Sequence, residues 1–546
     1  MVTSALPHSL RTATTATIVA CMLALAGCGG GGEGTPTTSP TPPPLSALLK
    51  VDPCVASGKG RDYQVGDQAG QLAELDQVPW DSLAPGDTVR IFHRATPYLG
   101  KFMIAASGTA SAPVRICGVK NQAGLRPIID GQNAVTRRGL DYGDSSFTDY
   151  LHQTRSVIVI KQPPSQGWKG FPTYIQIDGL EVRGATPSNQ FTDTDGVIRR
   201  YVAFGACIWI ERGHNITIAD NVIHDCTNGI YSKSTDDSVD DLSAPDFSVS
   251  KDVRLAGNYV YGNGVVGDDH MHNTYMASRN IIYEFNRYGP QRAGALGNAI
   301  KDRSVGTVIR YNFLEGGARA MDLVEAEDFP TTALADPAYR KTFVYGNRIV
   351  KNGDDGSFIH YGGDHSGSTP TDNWGEPFFR RGTLYFYHNT VLLNGINYTK
   401  LFQISTTLET AEVWNNVIVY APSAIYPNLR TTQEVNTDYW TSGGNVNLGR
   451  NWISQNWTDT DPWHPVPGQL LGQSNLITGA SPPISMSTLA LIGGINPAVD
   501  AATFAPSSDV AAATASHPVL YQLDTQFQPQ ARAITGAAMD LGAIER

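Results

Sequence analysis

An asparagine set between two short alternating apolar runs recurs seven times between residues 216 and 420, and few folds can accommodate that pattern. The first instance reads Ile216-Thr217-Ile218-Ala219-Asp220-Asn221-Val222-Ile223, and the others centre on Asn258, Asn286, Asn312, Asn347, Asn389 and Asn416. The intervals are 37, 28, 26, 35, 42 and 27 residues. An apolar period of two marks strands, and a repeat of roughly 20–30 residues with insertions marks a solenoid. In a closed coil of short strands each strand stacks on its equivalent one turn away, ~4.8 Å distant. The asparagines then form a column at one corner, where stacked amides satisfy the turn backbone and each other. With 41% hydrophobic and 17% charged residues the chain has material for a large core, and 55 Gly and 33 Pro among 546 residues fit many turns and few long helices.

A net charge of −11 without a basic run excludes a nucleic-acid partner. The N-terminus reads as an address. Arg11 precedes the apolar stretch Ile18 to Ala26, and Leu25-Ala26-Gly27-Cys28 is similar to a bacterial lipobox with Cys28 as the lipidated residue. Residues 1–28 are thus a lipoprotein signal peptide and 29–50 a Gly/Pro/Thr-rich tether. Residues 51–546 form the working domain, with 430–546 as C-terminal coils and cap. The expected location is the cell envelope, exported and held by lipid. Beyond Cys21 and Cys28 four cysteines remain, which allow three pairings; Cys54–Cys117 with Cys207–Cys226 is the expected one. No CxxC spacing suggests zinc.

The repeat spacing and asparagine column resemble the right-handed parallel β-helix of pectate lyases and their relatives. Leu83-Ala84-Pro85-Gly86-Asp87-Thr88-Val89 and Ser107 to Val114 resemble the first turns of alginate-lyase and chondroitinase-B-like proteins, and Asp540 to Glu545 resembles their last strand. The resemblance implies an all-β, single-stranded solenoid with caps at both ends, and action on a polysaccharide.

Counting back 11 residues from Asn286 and Asn312 reaches Tyr275 and Lys301, which should occupy one column. Local pattern extends that column to Asp322, His360 and Tyr231, all facing outward and ~5 Å apart. Arg303 emerges from the same face two residues after Lys301. Two cations there favour an anionic ligand between them, and Arg303 should ease deprotonation of Lys301 while Asp322 opposes it. The lyases use a Lys or Tyr base, an Arg on the uronate and sometimes Ca²⁺; Lys301 and Arg303 match by type, whereas the calcium cluster is not clearly reproduced. β-Elimination would then use Lys301 or Tyr275 as base, Arg303 to neutralise the uronate, and Tyr275 or His272 to protonate the leaving oxygen. Tyr231, Asp322, His360 and Glu325 are the expected substrate-binding residues.

Other groups read less sharply. His270 with Asp268, and with His272 at i+2, has the makings of a metal site. The loop bearing Asp236, Asp237, Asp240, Asp241 and Asp246 lacks the spacing of a calcium loop and reads as a solvated acidic segment. Asp322, Glu325, Asp364 and His365 offer carboxylates for hydrolysis. Tyr439, Trp440, Trp452, Trp457 and Trp463 would stack on sugar or plug the coil. The reading is an enzyme on acidic, uronate-containing polysaccharide, a lyase first. A glycoside hydrolase, a C5-epimerase and a non-catalytic binding lipoprotein are the alternatives. No cofactor is certain and Ca²⁺ is left open; the partners are acidic polysaccharide and, through the lipid, a membrane, with the chain monomeric.

Overall fold

A computed structural model describes residues 53–144, 151–353, 356–365, 374–396, 398–431, 443–460 and 468–546. The lipobox, Cys28, the tether, Tyr439, Trp440 and Trp463 lie outside them. Strands dominate, and the α-helices among the described residues run five to seven residues. None is long and apolar enough to cross a membrane.

The chain winds as a right-handed parallel β-helix with three long sheets of 13, 13 and 11 strands. One coil shows the path. His214–Ala219 lies in the first sheet, Val222–His224 in the third and Asn228–Lys233 in the second, after which Lys251–Ala256 re-enters the first. Inward positions such as Ile216, Ile218, Ile230 and Ile300 are fully buried in one continuous core. Long excursions leave the coil after second-sheet strands, and those after Met321–Leu323 and Ile359–Tyr361 bring Glu325 and Asp364 over the outer face of that sheet.

The asparagine column sits at the corner between the first and third sheets. Asn312 Oδ1 accepts from the backbone N–H and the amide of Asn286, and Asn312 Nδ2 donates to Tyr283 O and to Asn347 Oδ1. The same exchange links Asn221, Asn258, Asn286, Asn347, Asn389 and Asn416 and continues to Asn451. The residue before each of the seven from Asn221 to Asn416 is left-handed, so Gly257 and Gly346 fit at φ +65° and +66°, whereas Phe285 and Tyr311 hold φ 56° and 57° with bulky side chains. Those rings pack outward against Tyr521, which offsets the backbone cost. Asn312→Ala strands a buried N–H and breaks the column. We expect a loss of about 3 kcal/mol, read from the urea midpoint.

Cys54–Cys117 and Cys207–Cys226 are both disulfide-bonded, as expected. Reducing the first should cost more than the second, because it closes the longer loop, 63 against 19 residues. Differential scanning with and without reductant checks this through single Cys→Ala pairs.

The C-terminal reading needs correction. The last coil strands are Asn445–Leu448, Asn451–Ser454, Leu470–Leu471 and Leu476–Gly479. Beyond them the chain runs back along the outside of the coils rather than closing their end. Arg348 donates to Thr488 O, Tyr387 to His517 O and Tyr311 to Pro518 O. Asp540 to Glu545 forms no strand; its backbone meets Asn415 O, the Thr390 hydroxyl and the Gln522 side chain. Trp452 is buried under this returning segment, so it offers no sugar platform, and Trp457 is partly buried against the core. The aromatic outer face at Tyr311, Tyr345, Tyr387 and Trp414 is the physical reason: left bare it would expose a large apolar patch.

Candidate active site

Register in the second sheet builds the outward column. Tyr231 pairs with Tyr275, Tyr275 with Lys301, Lys301 with Asp322 and Asp322 with His360. Trp209 precedes Tyr231 and Gln403 follows His360. Alternation sends Ile300 and Met321 into the core and their successors outward. The excursions after Leu323 and Tyr361 then lay Glu325, Glu327, Asp364 and His365 over this column.

The cations are not free. Lys301 Nζ bonds Asp364 and lies 2.6 Å from Asp322 Oδ2, and Asp322 also takes His360 Nδ1 at 2.9 Å and Asn298 Nδ2 at 3.1 Å. Arg303 donates from Nε to Tyr275 Oη at 3.0 Å, from Nη1 to Glu325 O at 2.9 Å and from Nη2 to Asp364 Oδ1 at 3.0 Å. Its ion pairs to Glu325 and Glu327 measure 3.3 and 3.0 Å. The position between Lys301 and Arg303, which the sequence assigns to an anionic ligand, is filled by the protein's own Asp364 carboxylate. Burial would raise Asp364 and Asp322, but Lys301 dominates in both and holds them far below the usual carboxylate range, with Arg303 adding for Asp364 and His360 for Asp322.

Two proposed roles change. Tyr275 Oη donates to Glu327 at 2.8 Å, and burial and Glu327 push its pKa up, so it keeps its proton and suits donation rather than base work. His272 is 2% exposed, its Nδ1 accepts from the Asn298 N–H, and burial and Lys301 press its pKa down to about 3. A neutral imidazole held that way orients the strand and is a poor acid.

His365 is a further ionisable group on this face. Its Nδ1 meets Glu325 at 2.7 Å and its Nε2 meets Glu327 at 3.1 Å, while its ring lies 4.2 Å from Trp374. Burial works against the charge, but the Glu325 hydrogen bond and the Asp364 charge outweigh it and raise the pKa. Because the folded value exceeds the unfolded one, this stabilisation is complete below about pH 6.5 and is lost as pH rises through the folded value. Glu327, Asp364 and His365 keep 19%, 24% and 31% of their side-chain surface open, whereas Lys301 and Arg303 keep about a twentieth. The reachable acid–base groups are therefore carboxylates and an imidazole, with the cations behind them. Tyr231 is buried against Trp209, 4.0 Å between ring centres.

Glu325, Asp364 and His365 bring ligand atoms close enough for a metal, yet Glu325 already accepts from two backbone N–H groups and Arg303 and Lys301 crowd Asp364. A seven-oxygen Ca²⁺ shell does not fit that set. Asp268, Asp269 and the 81%-exposed His270 cluster at the surface, apart from the His272 contacts. In the acidic loop Asp236 accepts from Thr331 and Thr332, Asp241 pairs with Lys169 and Asp246 with Lys251. A hollow of about 490 Å³ on the first sheet is lined by Gln176, Thr217, Asp252 and Arg254.

Glu327 and Trp374 were not singled out from sequence. The alternation Glu325-Ala326-Glu327 is a signal for the first, since i and i+2 share a face in extended chain.

The sequence matches no protein-family model and no curated protein. Among solved structures the chain is similar to pectate lyase Pel9A (11% identity, 89% of this chain and 97% of that one, TM-score 0.41). It is also similar to the GH136 lacto-N-biosidase from Eubacterium ramulus (12% identity, 76% and 67%, TM-score 0.40) and to the PL6 family alginate lyase AlyGC (10% identity, 73% and 51%, TM-score 0.33).

Proposed function

We propose that the chain cleaves an acidic polysaccharide laid along the second sheet, by β-elimination at a uronate unit. One observation carries this reading: Lys301 and Arg303 converge on a single carboxylate, that of Asp364, so the face is already shaped to receive one. A uronate carboxylate takes that place, and its neutralised charge acidifies the C5 hydrogen. The displaced Asp364 or Glu327 accepts the C5 proton, the C4–O bond breaks as the C4–C5 double bond forms, and His365 or Tyr275 protonates the leaving oxygen. Export and a lipid anchor at Cys28 belong to the same proposal; the two disulfides support an oxidising compartment.

Hydrolysis is the second reading, favoured by the exposure of Glu327 and Asp364 on either side of His365 while both cations are saturated. The test incubates the protein with a panel of uronate polymers and follows ultraviolet absorbance of unsaturated uronate beside new reducing ends. Both signals rising together supports elimination, and reducing ends without absorbance supports hydrolysis. Neither signal on any polymer sinks both. Asp364→Asn should weaken the internal plug and lower KM by a few-fold if uronate displaces this carboxylate, read from initial rates.

A further inference from the structure

The coils that place Tyr275 and Lys301 on the second sheet also form the hollow of about 490 Å³ on the first. Its shape follows from a repeated kink. Asn215, Asp252 and Asn280 hold left-handed backbone at φ 55°, 54° and 60°, with Tyr174 at 52° and Gly306 at +65° on the flanking coils. The register pairs His214 with Lys251 and Ile216 with Val253, then Lys251 with Arg279 and Val253 with Ile281, passing over the kinked residue each time. An unpaired left-handed residue bends its strand, and five stacked in line put a trough across the outer face. All five line the hollow.

The polar groups around it do not satisfy one another. Asp252 accepts from Asn280 Nδ2 at 2.9 Å and from Asn215 Nδ2 at 3.4 Å, and it forms no ion pair with any described residue. Neither amide oxygen receives a hydrogen bond from a described residue. Arg254 lies in register between Thr217 and Ile282, two residues on from Asp252. Its Nε donates to Glu284 at 2.6 Å, but Nη1 and Nη2 are buried without a partner. Glu284 is 1% exposed and also takes Arg310, at 2.6 and 2.8 Å, so one carboxylate serves two guanidiniums. Asp252 supplies the second negative charge, which leaves these four side chains neutral in sum although Asp252 and Arg254 do not meet.

We propose that this hollow binds a neutral sugar unit, at a site separate from the reacting face. A sugar hydroxyl donates through its proton and accepts through its oxygen, so a run of hydroxyls needs acceptors and donors side by side. Asp252 and the two amide oxygens accept, and the Arg254 Nη groups donate to the partner they otherwise lack. Coil stacking spaces Asn215, Asp252 and Asn280 ~4.8 Å apart, which suits hydroxyls on one ring. Half-buried Ile282 and Tyr174 offer apolar contact to the ring itself. An anionic sugar fits less well, because Asp252 repels it and Glu284 already holds Arg254. The volume lies within the ~300–1,000 Å³ of small-ligand sites. Exposed Asn280 and Ala110 at the rim let a longer chain run out of the hollow. The site stands without the elimination reading, since it lies on another sheet and takes another class of sugar.

Calorimetry tests this with the tetrasaccharides of cellulose, xylan, mannan, galactan and starch, and with the galacturonate tetramer as the anionic comparison. At least one neutral tetramer should bind, with an affinity that salt leaves unchanged. Asp252→Asn keeps a residue type that tolerates left-handed backbone but removes the charged acceptor, and Arg254→Lys keeps a cation for Glu284 but removes both Nη groups. Each should weaken binding about tenfold. Thr217→Trp fills the hollow from an outward strand position and should abolish binding. Tm measured beside each affinity separates a lost site from a lost fold, and a variant that does not fold leaves the other two to decide. His365→Ala should bind the neutral tetramer as the wild type does, which keeps the site off the second sheet. The absence of any neutral binder overturns the proposal, and so does an affinity that survives Asp252→Asn and Thr217→Trp at unchanged Tm. A galacturonate tetramer that binds more tightly than every neutral one, and is lost in Thr217→Trp, overturns the neutral assignment. Neutral binding that persists in a chain without uronate cleavage supports this site and removes the elimination reading alone.

Discussion

Arg380→Met should cost about 3–5 kcal/mol of stability and much of any activity, although Arg380 touches no substrate-facing atom. Arg380 and Asp302 are both fully buried and pair at 3.0 Å. Arg380 also donates to Val324 O, Ser304 O and Asp302 O, while Asp302 accepts from Tyr283 Oη at 2.9 Å and Thr307 Oγ1 at 2.6 Å. Asp302 lies between Lys301 and Arg303 in the chain but points the other way, so this network fixes the strand that sends both cations outward. Removing the guanidinium leaves a carboxylate in the core with two hydroxyls and the Ser304 N–H as its partners, and takes a donor away from three carbonyls. Asp302→Leu in the same chain should recover part of the loss, because a neutral interior tolerates the gap better than an orphaned charge. Urea unfolding measures both. If Arg380→Met costs under 1 kcal/mol, the buried pair is not what holds the strand.

The coil was legible because its signal is periodic and local. Alternation gives strands, and the asparagine gives the corner, so counting back 11 residues put Tyr275 and Lys301 in one column, which the register bears out. Pairing of Cys207 with Cys226 follows from one coil's path. What the sequence withheld came from excursions. Asp364 and Glu327 are 63 and 26 residues from Lys301, and nothing local tells that their loops fold back over its strand. An unpaired Lys301–Arg303 couple was the natural reading of the strand alone; two loops supply the carboxylates that cancel it. The returning C-terminal segment escaped for the same reason: its partners, such as Tyr311 and Tyr387, look like core residues of strands until one sees which way they face. His272 illustrates a subtler limit. Its motif neighbours Tyr275, but burial decides its charge, and burial is a property of the whole coil.

The largest effects on turnover are expected at His365 and Glu327. On the proposed reading His365→Ala removes one of the two candidate proton donors, and Glu327→Gln removes the carboxylate that holds both His365 Nε2 and the Tyr275 hydroxyl, so each should lower kcat by about 10²–10⁴. The pH profile separates catalysis from architecture. With His365 donating, kcat falls as pH rises through its raised pKa, and the alkaline limb reports that group in the substrate complex. Glu325 is fully buried and bonds His365 Nδ1, so Glu325→Gln withdraws the partner that most favours the imidazolium. The alkaline limb should then move to lower pH, while the acid limb, set by a carboxylate, stays. Lys301→Met should act differently. It unpairs the buried Asp322 and the partly open Asp364, so their pKa values climb and the acid limb moves up instead. Opposite displacements of the two limbs by two variants on one cluster would tie the titrations to named groups. An alkaline limb that Glu325→Gln leaves in place would take His365 out of the proton-donor role and return it to Tyr275, whose proton burial already secures.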